Sequence, residues 1–360
     1  MHKTAGPAPG GPDSAVPAPA PGVALPRRRI AGGVVAPTVL GFGGAPIGNL
    51  YAPVDAAEAE GAVVAALASG VRYFDTAPYY GYGLGETRLG DALAGQARAE
   101  LVISTKAGRR IEDEAAAPQG RDGFAVAGRR AVFDYGRDGV LRAFETSLRR
   151  LRTDYVDILL LHDIGRLTHG DRHPEVLRQA LEEALPAMAE LKASGACRAI
   201  GLGVNEEDVC LEVLPRFPLD CVMLAGRYTL LEQARSSRLM ALAGERGVSI
   251  LVAGPYNSGL LGDARRPGAT YDYRPVDPDT LARAQRLYDL CAAEGVETGA
   301  AALQFPLAHP AVATVVAGMR NAEEACSAAA RMHAEVPSTL WPRLRAAGLL
   351  AAEAPTPACT

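Results

Sequence analysis

Eight short, β-rich apolar runs recur along the chain, each separated from the next by a stretch that mixes apolar and charged residues at helical spacing. They begin at Val39 (VLGFGG), Tyr73 (YFDTA), Leu101 (LVISTK), Tyr155 (YVDILLLH), Ala199 (AIGLGV), Cys221 (CVMLAG), Ser249 (SILVAG) and Thr314 (TVVAG). A strand that is apolar along nearly its whole length is covered on both faces, which is the condition of a parallel sheet under helices. The stretches between, such as DAAEAEGAVVAALASG, DGVLRAFETSLRRLRT, PEVLRQALEEALPAMAELKASG and DTLARAQRLYDLCAAEG, supply those helices, and several stop at Gly. Eight such units predict an α/β fold, a (β/α)8 TIM barrel with extended loops at its C-terminal face, in preference to an open doubly wound sheet.

The first 26 residues hold seven prolines among Ala and Gly and little apolar bulk to offset ordering entropy. The expected organisation is therefore a flexible tail over residues 1–30, one barrel over 31–345 and a shorter tail over 346–360. Two segments, 107–137 and 255–277, exceed a tight connection and follow strand C-termini, where barrel enzymes build their sites, so both are candidate lid or substrate loops. Lys plus Arg numbers 37 against 41 for Asp plus Glu, a net charge of −4, so no broad basic surface for nucleic acid is expected. No run approaches the ~20 apolar residues of a membrane span, and the first 30 residues lack a signal-peptide core. The expectation is a soluble cytoplasmic protein. Cys197, Cys210, Cys221, Cys291, Cys326 and Cys359 form no CxxC pair and fit small buried residues or free thiols rather than a disulfide framework.

Three polar residues end apolar strands: Asp75 in YFDTAPYYGYG, Lys106 in VISTKAGR and His162 in LLLHDIG, with Tyr80 five residues beyond Asp75. A barrel gathers separate strand ends around one mouth, so a carboxylate, a lysine, an imidazole and a phenol converge there as a proton-transfer site. A free phenol titrates near ~10, so work near neutrality calls for a close cation, and Lys106 paired with Asp75 is the expected one. His162 would hydrogen-bond the substrate oxygen. Taken singly each has a structural reading, since Asp-Thr before Pro can cap a turn and a lone His or Lys can be a packing residue.

D-T-A-x-x-Y, the strand-end T-K and L-L-H resemble the tetrad of the aldo-keto reductase superfamily, over roughly residues 36–335. The stretches FDYGRDGVLRAFETSLRRL, HDIG, LAGRYTLLEQ, VAGPYNSGLL and AALQFPLAHPAVATVVAGMRN are similar to the L-fucose and D-threo-aldose 1-dehydrogenase branch, with pyridoxal dehydrogenase a near relative in pattern. The resemblance implies catalytic roles for Asp75, Tyr80, Lys106 and His162, and a small-molecule substrate, an aldose such as L-fucose oxidised at C1. Two alternatives stay open, a pyridoxal-like or specialised-metabolite substrate and a nicotinamide-binding regulatory subunit. Oligomeric state is not read from these residues.

The resemblance also implies NAD or NADP extended across the mouth. LGFGGAPIG does not complete a dinucleotide-binding GxGxxG, and Gly43 and Gly44 are placed instead in the first barrel loop, against the cofactor ribose. Asn205 matches the family's carboxamide-binding Asn, Gly254 stands in the loop after the seventh strand, and Gly318, Arg320 and Asn321 match the phosphate-binding region. The chain departs from many members at Val204, at Ala225 and at Gly254-Pro255-Tyr256. Gly318 and Glu324 stand where NADP-selective relatives tend to carry basic side chains, which favours NAD. Tyr79, Arg227 and Tyr256 are candidate substrate contacts, Arg227 equally a structural ion-pair partner. His169 and His173 suggest HxxxH, but Gly170 and Pro174 argue against one helix carrying both, so no metal is expected.

Overall fold

The computed structural model describes residues 24–262, 270–271 and 274–357. Eight strands close into a barrel: β1 (Leu40–Gly43), β2 (Tyr73–Asp75), β3 (Val102–Ala107), β4 (Val156–His162), β5 (Cys197–Val204), β6 (Cys221–Ala225), β7 (Ser249–Ala253) and β8 (Val312–Gly318). All eight fall on the runs singled out above. Every neighbouring pair is parallel, and the ring closes where β1 meets β8, with Gly43 opposite Gly318.

The strands are buried on both faces because each side chain meets either the barrel interior or the helical ring. Tyr73, Val102, Ile158, Leu160, Met223 and Leu251 fill the inside. Phe42, Phe74, Leu159, Leu161, Val222 and Val252 belong to the larger core under the helices. Helices Ala56–Ala68, Leu84–Leu93, Arg137–Leu151, Ser237–Arg246, Pro278–Ala293 and Ala322–His333 are among those that build the ring. The first begins at an Asp55 cap, whose side chain accepts from the Glu58 N–H at 2.7 Å, and the last at Asn321, which accepts from the Glu324 N–H at 2.9 Å.

The tail boundaries need correction. Residues 1–23 and 358–360 lie outside the described residues, but 24–30, placed with the tail on composition, belong to the barrel. Leu25 and Ile30 are buried, bridges join Arg27 to Thr38 and Ile30 to Val35, and Ile30 and Val35 pack with the interior side chains. Arg28 Nη1 donates to the carbonyls of Leu307 and Val312, both at 2.8 Å, so this segment is held beside the start of β8. Residues 346–357 pack likewise, through buried Leu349 and Leu350 and through the Arg345 guanidinium on the Ala354 carbonyl at 2.8 Å. In each case two large apolar residues and a backbone-binding arginine anchor the segment.

The segment 107–137 is not structureless. Arg109–Asp113 pairs antiparallel with Arg129–Phe133, a hairpin standing on the mouth. In 255–277 the described part includes buried Leu260 and Leu261 and a second small pairing, Thr270–Tyr271 with Arg274–Pro275. Among the described residues no helix is long and apolar enough to cross a membrane.

Candidate active site

β2, β3 and β4 lie side by side, with Asp75 opposite Ser104 and Lys106 opposite Leu160, so their ends deliver Asp75, Lys106 and His162 to one mouth. Tyr80 arrives from the turn after β2, whose backbone closes through the Tyr80 N–H on the Ala77 carbonyl at 3.1 Å. Lys106 Nζ donates to Asp75 Oδ1 at 2.9 Å and Oδ2 at 2.8 Å, and to the Thr76 carbonyl at 3.0 Å. The same ammonium lies 4.7 Å from the centre of the Tyr80 ring. Gly203 on β5 makes room for it, since a Cβ there would stand 3.3 Å from Lys106 Cε. His162 meets Tyr80 edge to face, ring centres 6.1 Å apart. All four expected residues are thus brought together.

Burial sets the protonation of this group. It raises the Asp75 carboxyl from its ordinary value, with Lys106 and the 2.7 Å hydrogen bond from Ser104 pulling the other way. It holds the Tyr80 phenol well above its usual value, reinforced by the negative charges of Asp75 and Asp163 and opposed by Arg109. Lys106, the expected cation, gives two of its hydrogen bonds to the Asp75 carboxylate. Burial, with Arg109 and Lys106 nearby, depresses His162 well below the ordinary imidazole range, so its ring is neutral.

Sequence reasoning missed two members of the site. Arg109 Nη2 pairs with Asp163 Oδ2 at 2.6 Å, and its guanidinium lies 3.8 Å over the ring of Tyr79. Asp163 Oδ2 also stands 3.5 Å from His162 Nε2, while Oδ1 accepts from Asn205 Nδ2 at 3.1 Å. Burial raises the Asp163 carboxyl, and Arg109 followed by Asn205 opposes it. The motif HDIG displayed Asp163, but its partner comes from a position 54 residues away.

Beside the tetrad opens a cleft of about 710 Å³, a size ordinary for a small-molecule or cofactor site. Gly43, Gly44, Asn205, Gly254, Gly318, Arg320, Asn321 and Tyr256 all line it, together with Asp75 and Tyr80. A Cβ on Gly44 would come 2.8 Å from the Asp75 carbonyl and one on Gly43 3.0 Å from the Ala317 carbonyl, so the floor is bare backbone. Asn257 Oδ1, on the cleft wall, is buried without a hydrogen-bond partner. A backbone floor, an orphaned acceptor and the N-terminus of helix Ala322–His333 suit an extended dinucleotide with its phosphates at that helix end. Arg320 is engaged by Glu324, whose carboxylate accepts the Arg320 backbone N–H at 2.9 Å and forms an ion pair with the guanidinium, Nε 2.8 Å from Oε1.

Arg227 is buried and does not line this cleft; its carbonyl accepts from Ser236 Oγ at 2.7 Å. Tyr79 sits between Arg109 and His162, its ring 6.0 Å from the imidazole. His169 and His173 face different partners. The former meets the Asp163 carbonyl at 2.9 Å and the latter meets Glu212 Oε1 at 2.9 Å.

A model of the Aldo/keto reductase family matches residues 39–348. The chain belongs to that family. This aldo-keto reductase is 41% identical over 325 residues to pyridoxal 4-dehydrogenase of Microbacterium luteolum, covering 87% of this chain and 94% of that one. It is 36% identical over 325 residues to D-threo-aldose 1-dehydrogenase of a Pseudomonas species, covering 88% and 95%. The solved holo form of an aldo-keto reductase from Bacillus halodurans superposes with a TM-score of 0.71 at 28% identity, over 91% of this chain and 97% of that one. These relatives make it an NAD(P)-dependent oxidoreductase acting on a small molecule.

Proposed function

We propose that this aldo-keto reductase oxidises the hemiacetal carbon of a small cyclic substrate to a lactone, with an aldose such as L-fucose at C1 as the first reading. The observation that carries it is the position of Tyr80, which lines the dinucleotide cleft while Lys106 and His162 stand against its ring. A bound oxidised dinucleotide would supply the hydride acceptor for the substrate carbon and a positive charge beside it. Tyr80 exchanges a proton with the substrate oxygen. Burial and Asp75 keep a proton on the phenol in the cofactor-free site, its state as general acid for carbonyl reduction; for the oxidation the phenol first gives that proton up, and as phenolate it takes the hydroxyl proton of the hemiacetal.

His162, neutral, hydrogen-bonds the same substrate oxygen and orients it. Lys106, held by Asp75, fixes the electrostatic surroundings of the phenol. Gly43, Gly44, Gly318, Arg320 and Asn321 hold the dinucleotide, Asn205 its carboxamide, and Tyr79 and Tyr256 flank the substrate. NAD is the favoured cofactor, because Glu324 occupies Arg320 and adds a negative charge beside any 2′-phosphate.

A second reading is a pyridoxal-like substrate, favoured by the 41% identity to a pyridoxal 4-dehydrogenase and by the aromatic wall of Tyr79 and Phe124, ring centres 5.2 Å apart. Aldoses and pyridoxal share one chemistry, since each closes on its own hydroxyl to a cyclic hemiacetal. The test is dinucleotide reduction by wild type and Tyr80→Phe with NAD and NADP against L-fucose, related aldoses and pyridoxal. Reduction that depends on one of these and vanishes in the variant supports the reading and separates its two forms. Dinucleotide binding with no turnover on any of them would reject the hemiacetal.

A further inference from the structure

Proton transfer does not explain the cluster around Asp163. This residue has φ 50°, in the left-handed region that side chains rarely adopt, and its carboxylate is buried at the mouth. Its backbone N–H donates to the Gly203 carbonyl at 2.9 Å, and its own carbonyl accepts from Tyr135 OH at 2.9 Å. Asp163 is therefore fixed from β5 and from the base of the hairpin, and its two carboxylate oxygens are divided between Arg109 and Asn205.

That division decides which way the Asn205 amide points. An ionised carboxylate only accepts, so the NH2 group must face it and the carbonyl Oδ1 is the amide atom turned away. Asn205 itself lines the dinucleotide cleft. We propose that Asp163 is a positioning residue, which with Arg109 as its counter-charge locks Asn205 to present a hydrogen-bond acceptor to the carboxamide NH2 of the bound dinucleotide. The inference rests on the nicotinamide reading above and goes beyond it in assigning the direction of that hydrogen bond and the residues that impose it.

The test uses binding rather than turnover. The probes are NAD and 3-acetylpyridine adenine dinucleotide, in which a methyl ketone replaces the carboxamide, leaving an acceptor but no NH2. Calorimetric titration of wild type is expected to show NAD bound roughly five- to tenfold more tightly, the worth of one hydrogen bond in a closed site. In Asp163→Asn the single remaining oxygen is drawn to Arg109, the stronger donor, and an NH2 group faces Asn205. Asn205 then turns, offers a donor to the cleft, and the preference falls below about twofold or reverses, since either probe supplies a carbonyl to that donor.

Circular dichroism and thermal melting establish that the variant is folded. If it is not, Arg109→Met combined with Asp163→Ala removes both charges, frees the amide to turn and is expected to erase the preference in the same way. A preference kept at its wild-type value in the folded variant would overturn the inference, as would a wild type that binds both probes equally while binding NAD well. A wild type that binds neither dinucleotide would overturn the nicotinamide reading and this inference with it.

Discussion

Lys106 gives all of its hydrogen bonds to the end of β2, two to the carboxylate of Asp75 and one to the Thr76 carbonyl, while its ammonium lies under the Tyr80 ring. Asp75 and Lys106 are both almost wholly buried, so neither charge is stable without the other. The cation beneath the phenol is thereby held in place by a carboxylate that largely cancels it.

Tyr80→Phe keeps the ring against Lys106 and His162 and removes the exchangeable proton. Turnover is expected to fall by a factor of about 10² to 10⁴, the usual contribution of a positioned acid or base. The dinucleotide dissociation constant, measured by titration, should be nearly unchanged. A variant that keeps a substantial fraction of wild-type rate removes Tyr80 from the chemistry.

Lys106→Met leaves Asp75 buried without its counter-ion, which costs about 3–5 kcal/mol when one partner of a buried pair is removed. Adding Asp75→Asn removes the orphaned charge while preserving an acceptor for Ser104, so the double variant should recover most of the lost denaturation midpoint. It should not recover activity. Recovery of both would mean that the pair serves the fold alone.

The barrel was legible because eight strands are apolar along their lengths, and a parallel sheet under helices is the arrangement that calls for this. The tetrad was legible because Asp75, Lys106 and His162 are polar where an apolar run stops. Arg109 and Asp163 were not, since their contact joins two strand ends 54 residues apart and KAGRR gives no reason to single out one arginine. The hairpin over 109–133 escaped for another reason. Arg109–Asp113 and Arg129–Phe133 carry no strict alternation, and their cross-strand pairs, Asp113 with Arg129 and Glu112 with Arg130, are visible only once the register is known. Residues 24–30 were hidden by their proline-rich neighbours.

His162 is held neutral by burial, with its folded-state pKa below the unfolded value of about 6.5. Below that pH the unfolded chain binds a proton that the native site refuses, so stability rises with pH across this window and is lost as pH falls through it. His162→Asn removes the group. Its unfolding free energy should fall less steeply than that of wild type below pH ~6.5, by up to about 1.4 kcal/mol per pH unit, with His169 and His309 cancelling in the comparison. Parallel pH profiles from denaturant melts would mean that His162 titrates normally in the folded protein.

Glu324 accepts the Arg320 backbone N–H, pairs with its guanidinium and adds a negative charge at the helix start. Glu324→Gln keeps an acceptor of the same shape and removes the charge. Because this pair is partly exposed and screened, the expected gain in the NADP-to-NAD ratio of kcat/KM is modest, roughly three- to fivefold, and should shrink at high salt. No change at low salt would show that cofactor choice is set elsewhere on the cleft.

The segment 24–30 lets the barrel contribution of the N-terminal region be measured separately from its composition. A chain beginning at residue 24 keeps Leu25, Ile30 and the arginine bonds from Arg28 to Leu307 and Val312, whereas one beginning at residue 31 loses all of them. Burying each of the two apolar side chains is worth about 1.5–3 kcal/mol. Losing them also uncovers Val35, which packs with the barrel interior, and leaves two carbonyls near β8 without their donor. The shorter chain is therefore expected to be less stable than the longer by roughly 3–6 kcal/mol or more in denaturant melts. The tetrad stands at the opposite, C-terminal mouth, so kcat measured well below the melting temperature should be the same in both. Equal stability would return residues 24–30 to the tail, and unequal kcat would show that closing the far end of the barrel reaches the site.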